Sequence, residues 1–73
     1  MFIPGDIVVR LVGSGKGEKG FIYTVEEVNF DWDRVRLFGY VGTYNLDGTS
    51  SERYKGDYSR IVRVTDMRKD AQE

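Results

Sequence analysis

Phe21-Ile22-Tyr23-Thr24-Val25-Glu26-Glu27-Val28-Asn29, then Phe30-Asp31-Trp32-Asp33, then Arg34-Val35-Arg36-Leu37-Phe38: these eighteen residues decide the fold. The first nine alternate as a strand does, with Phe21, Tyr23 and Val25 on one face. Glu27 breaks the alternation and Val28 is apolar again, so a β-bulge at Glu26-Glu27 is predicted to return Val28 to the core side. Phe30 to Asp33 reads as a turn. Arg34 to Phe38 reads as a third strand, with Val35 and Leu37 inward and the two arginines outward.

Working outward, Pro4-Gly5-Asp6 is a turn that opens the first strand, Ile7 to Val12. Ile7, Val9 and Leu11 point one way, and Val8, Arg10 and Val12 the other. Gly13 to Gly20 carries four glycines in eight residues and is read as a polar loop, because glycine is costly to hold in regular structure. On the far side, Gly39 bends the chain into a strand over Tyr40 to Leu46, and Asp47-Gly48 is a turn signal. Thr49 to Asp57 is polar and irregular; Thr49 and Glu52 have the spacing of a capping box that would start one helical turn. Ile61 to Val64 is the last strand. Residues 65–73 are charged and nearly devoid of apolar side chains, and are expected to form a flexible C-terminal tail.

Five short strands with frequent turn signals predict an all-β chain, a small SH3-like partly open barrel over residues 1–64. Phe2, Phe21 and Tyr23 are assigned to its core. The composition agrees: valine is abundant, alanine occurs once, and nine glycines and ten aromatic residues are present.

With 73 residues, one domain with a thin core is expected. There is no cysteine and no histidine, so disulfides and the usual zinc sites are excluded, and no cofactor is expected. The start lacks the pattern of a signal peptide and no apolar run reaches the length of a membrane span, so a cytoplasmic location is expected. Eleven basic residues against twelve acidic ones argue against a domain devoted to neutralising phosphates.

Gly15-Lys16-Gly17-Glu18-Lys19-Gly20 matches Gly-x-Gly-x-x-Gly, but a dinucleotide fold needs a helix after it and a strand follows here. A nucleophilic mechanism needs a base beside Ser, Thr, Cys or Lys, and none can be assembled; the chain is read as no enzyme. Binding is the better reading. Phe30, Trp32, Phe38 and Tyr40 lie around one hairpin, with Trp32 oddly placed for a core residue between two aspartates. Aromatics beside arginines have the composition of interface anchors. Glu26, Asp31 and Asp33 would steer a basic partner face. Arg34 and Arg36, if strands one, three and five were neighbours, would join Arg10, Arg60 and Arg63 in a basic stripe open to RNA or DNA.

Phe2-Ile3-Pro4-Gly5-Asp6-Ile7-Val8-Val9-Arg10, Gly20-Phe21-Ile22-Tyr23-Thr24-Val25-Glu26-Glu27-Val28 and Ser59-Arg60-Ile61-Val62 together resemble small phage-encoded barrel domains. Over nearly the whole chain to Val64, the similarity is to RNA-polymerase-binding transcription regulators of lytic Xanthomonas phages. The resemblance implies a monomer acting in the host bacterial cytoplasm on the large β and β′ subunits of host RNA polymerase. It implies inhibition of sigma-dependent initiation and promotion of antitermination. It assigns no individual residue; the candidates above come from their own chemistry. The alternatives are a nucleic-acid-binding barrel and a phage structural or assembly component.

Overall fold

In a computed structural model, which describes residues 1–13 and 17–66, the chain forms five antiparallel strands curled into a half-barrel. They are β1 (Ile7–Val12), β2 (Lys19–Asn29), β3 (Arg34–Leu37), β4 (Thr43–Tyr44) and β5 (Arg60–Arg63). Their order across the sheet is β4-β3-β2-β1-β5. The turn before β1 forms as expected: Gly5 takes φ 93°, and its N–H donates to the Val25 carbonyl at 2.8 Å.

The register of β2 against β3 shows why the bulge matters. Val25 faces Leu37, but Glu27 rather than Glu26 then faces Arg36, and Val28 faces Val35. One extra residue on β2 thereby keeps both valines on the inner side, where a regular strand would have turned Val28 outward. Val8, Val25, Val35, Leu37, Tyr44, Ile61 and Phe2 form the core, with Tyr23, Val28, Tyr40 and Leu46 packed against it.

Phe21 departs from the core assignment and is 47% exposed. It stands opposite Arg10 in the β1–β2 register, and the Arg10 guanidinium lies 5.6 Å from its ring. The same guanidinium lies 4.4 Å from the Tyr40 ring and 5.9 Å from Tyr23. A cation thus occupies the inner position that alternation offered to an apolar side chain, and the rings around it supply electrostatic attraction. Its Nε is buried without a hydrogen-bond partner.

Three boundaries also differ. β2 begins at Lys19, so the polar loop is shorter than Gly13 to Gly20; residues 14–16 of that expectation lie outside the described part. β4 is two residues long instead of running from Tyr40 to Leu46. Gly39 at φ 78° ends the preceding ladder and Val41 is fully exposed, so the chain reaches the sheet only at Thr43. β5 stops at Arg63, and residues 64–66 are helical, which corrects the tail expectation there; its remainder, 67–73, lies outside the described residues.

Between β4 and β5 the curl is closed by two isolated bridges, Tyr44 with Ser50 and Thr49 with Arg60. Gly48 makes this possible: at φ 92° its carbonyl accepts from the Ile61 N–H at 2.9 Å, and a Cβ there would lie 2.6 Å from the Ile61 carbonyl oxygen. No capping box forms. Thr49 gives its hydroxyl to Asp47 at 2.6 Å, and the following 3-10 turn, Arg53–Lys55, has no side-chain cap on Glu52.

Below this seam lies a buried polar network. Ser59 Oγ donates to Asp57 Oδ1 at 2.7 Å, its N–H donates to the same oxygen at 3.0 Å, and Ser50 Oγ donates to Oδ2 at 3.0 Å. The Tyr44 hydroxyl is 2.8 Å from Ser59 Oγ. Since Ser59 spends its single proton on the carboxylate, Tyr44 must be the donor in that contact, which requires the neutral phenol. Burial pushes the Tyr44 phenol up to about 12. The Ser59 hydroxyl, foremost, holds Asp57 below the ordinary carboxylate range.

The signs give two pH limits. Asp57 binds its proton less tightly when folded, so its contribution is present at neutral pH and is lost on acidification below about pH 4. Tyr44 binds its proton more tightly when folded, so its contribution is intact below about pH 10 and is lost as the pH rises toward 12. Thermal melts across pH should show both arms, with Asp57→Asn flattening the acid arm and Tyr44→Phe the alkaline one. Ser59→Ala should cost about 1–3 kcal/mol at pH 7, read from chemical denaturation.

A candidate partner-binding cleft on β2, β3 and β4

The same register that sends valines inward lines the outer face with polar side chains. Asn29 faces Arg34, and Glu27 faces Arg36, which in turn faces Thr43. With Trp32 from the β2–β3 turn, these six residues line an open cleft of about 320 Å³.

Trp32 is 75% exposed, yet its backbone is pinned. Its N–H donates to Asn29 Oδ1 at 3.0 Å, and its carbonyl accepts from Arg34 Nη1 at 3.2 Å. That same nitrogen donates to the Asp33 carbonyl at 2.8 Å and to Asn45 Oδ1 at 3.1 Å. Asp33, at φ 55°, accepts the Leu46 N–H on Oδ1 at 2.8 Å and so ties the turn to the segment after β4. Aspartate is among the few side chains that tolerate that left-handed conformation.

The residues singled out from sequence therefore separate. Trp32, Arg34 and Arg36 come together in the cleft. Arg34 and Asp33 are engaged in holding the turn, which leaves Arg36 as the arginine of the cleft whose side chain has no hydrogen bond to another described residue. Glu27 lies opposite it without an ion pair between them among the described residues. Phe30 and Asp31 are exposed on the turn but do not line the cleft. Phe38 is exposed past the far end of β3, where its N–H donates to the Thr24 carbonyl. Tyr40 lies on the inner side, packed on Tyr23 and Tyr44 at 5.6 and 6.1 Å between ring centres.

Glu26, the acidic residue named from sequence, is the bulged one, and Glu27 is the carboxylate in the cleft. The bulge itself was the signal: shifting the register by one residue exchanges the two positions. Asn29 and Thr43 were missed, since neither carries a signal apart from its pairing. The basic stripe does not form, because β2 separates β3 from β1 and β5, and Arg10 turns to the inner rings.

Among the described residues, no cluster of carboxylates suits a metal ion. Compared with known proteins, the chain matches no family model, no curated protein and no solved structure.

If Trp32 rests on a turn held by its neighbours, removing the ring leaves the fold alone. Trp32→Ala should change unfolding free energy by no more than about 0.5 kcal/mol. Asp33→Ala, which removes the acceptor for Leu46, should cost about 1–3 kcal/mol in the same denaturation assay.

Proposed function

We propose that this chain is a non-catalytic binding module that engages host RNA polymerase through its large β and β′ subunits, inhibits sigma-dependent initiation and promotes antitermination. The named partner comes from the resemblance of the Pro-Gly-Asp opening, the Tyr-Thr-Val segment and the Ser-Arg closure to the phage regulators. The observation that supports a docking role is Trp32, a large apolar ring held outward by a turn whose hydrogen bonds are already satisfied. Such a residue presents contact area without first having to order its backbone, which lowers the entropic cost of binding. Arg36 and Glu27, unpaired with each other in the cleft, offer one charge of each sign to a partner face.

The charge balance of the chain favours a protein partner over nucleic acid for this face, since a strand of phosphates would meet Glu27 beside Arg36. Affinity purification with the tagged full chain from a bacterial lysate should recover the polymerase large subunits. Trp32→Ala should weaken binding to purified polymerase by on the order of 2 kcal/mol while keeping the melting temperature. Recovery of no polymerase subunit would remove the proposed partner. Binding to RNA or DNA that falls steeply with salt, and is lost on Arg36→Ala, would favour the nucleic-acid alternative.

A further inference from the structure

Two further cavities share no lining residue with the Trp32 cleft. The larger, about 380 Å³, is lined by Val12, Gly13, Gly56, Asp57, Tyr58 and Ser59. The smaller, about 140 Å³, is lined by Thr49, Ser50, Arg53, Tyr58, Ser59 and Arg60. Tyr58 and Ser59 line both. Ser59 is buried and Tyr58 is 69% exposed, so the two cavities adjoin with Tyr58 as their exposed shared residue.

The two lobes differ in chemistry. In the larger, Gly56, at φ 95°, has open space where a Cβ would stand. A flat ring can approach such a floor and stack on tyrosine. Asp57 supplies an acceptor. A carboxylate has about four acceptor positions. Its Oδ1 takes the Ser59 N–H and hydroxyl, while Oδ2 takes only the Ser50 hydroxyl, so Oδ2 retains capacity for a sugar hydroxyl or an exocyclic amine.

In the smaller lobe, the hydroxyls are already committed, Thr49 to Asp47 and Ser50 to Asp57. The two arginines are what remains for an anion. The Arg53 guanidinium lies 5.5 Å from the Tyr58 ring and makes no ion pair among the described residues. Arg60 is paired at 3.4 Å with Glu18, an exposed contact that a doubly charged oxyanion would outcompete. Glu18, Asp47, Glu52 (paired with Lys55) and Asp57 are the acidic neighbours of this region, and none of them lines the smaller lobe.

We propose that these two lobes form a nucleoside phosphate site, with the base and sugar against Tyr58, Gly13, Gly56 and Asp57, and the phosphate between Arg53 and Arg60. Tyr58, which lines both lobes, is the feature that joins a ring site to an anion site. The site is separate from the Trp32 cleft and stands whether or not that cleft binds polymerase. A free nucleotide and one nucleotide of a single strand offer the same chemistry.

Amide chemical-shift titration of the full chain at low salt tests the proposal. The probes are AMP, UMP, inorganic phosphate and a hexamer of uridylate. AMP or UMP should give saturable shifts at Gly13, Gly56, Asp57 and Tyr58. Arg53→Ala and Tyr58→Ala, both at exposed positions, should each weaken binding about tenfold. Glu18→Gln, which releases Arg60, should strengthen it about threefold. Tyr58→Phe keeps the ring and should retain most of the affinity should the alanine variant lose its folded spectrum. Equal affinity for mononucleotide and hexamer supports a free nucleotide as the source; a much tighter hexamer supports a strand. The proposal falls if neither nucleotide nor hexamer gives saturable shifts up to about 10 mM, a range that spans the weakest specific binding expected. It also falls if inorganic phosphate binds as tightly as AMP, or if both alanine variants bind as the wild type does.

Discussion

The carboxylate of Asp57 holds the barrel's seam. Strand pairing runs unbroken from β4 through β3, β2 and β1 to β5, but between the two ends only isolated bridges at Thr49 and Ser50 join the edges. A seam with so few backbone bonds would open easily on its own. Asp57 gathers Ser50 from one side of it and Ser59 from the other, and Ser59 in turn receives Tyr44 from β4. β4, the segment after it and the residues leading into β5 are thereby fixed to one anion. Hydrogen bonds to a charged group are stronger than neutral ones, so a small network does here what a sixth strand does in a larger barrel.

That solution suits the chain's size. A domain this small has little apolar area to bury, and its core consists of five aliphatic side chains with Phe2 and Tyr44. Tyr44 serves both ends: its ring fills the core and its hydroxyl reaches the network. Arg10 does something similar at the inner surface. Its guanidinium lies among Tyr40, Tyr23 and Phe21, so Tyr23 packs against the core and also stands, with Phe21 and Tyr40, around a charge. The fold thus uses polar and cationic groups where larger proteins use hydrocarbon.

This explains which parts were legible. The central hairpin obeys period-two alternation, and its single break at Glu27 could be resolved only by a bulge, so residues 21–37 were readable to within one residue at the end of β3. The five-strand barrel followed from turn spacing. The seam was not readable, because Thr49 to Ser59 has no apolar period and its order comes from serine, aspartate and glycine contacts that depend on distant partners. Strand order was likewise hidden: alternation says which residues share a face of one strand, and nothing about which strands are neighbours. The expected arginine stripe failed on that point and on the turning of Arg10 to the inner rings. In the cleft, Trp32, Arg34 and Arg36 were visible from composition, whereas Glu27 in place of Glu26 needed the register.

The bulge connects the fold to the cleft. Its fold role is to keep Val28 on Val35 and Val25 on Leu37. The same extra residue brings Glu27 opposite Arg36 on the outer side and Asn29 opposite Arg34, and Asn29 is the acceptor that holds the Trp32 backbone. A β2 strand without the bulge would have to choose between burying Val25 and burying Val28 with Asn29 presented outward. The inner valines and the outer tryptophan are therefore set by one backbone irregularity. Packing fixes its position, since undoing it would expose an apolar side chain and bury a carboxylate in its place. The binding face inherits its rigidity from the core.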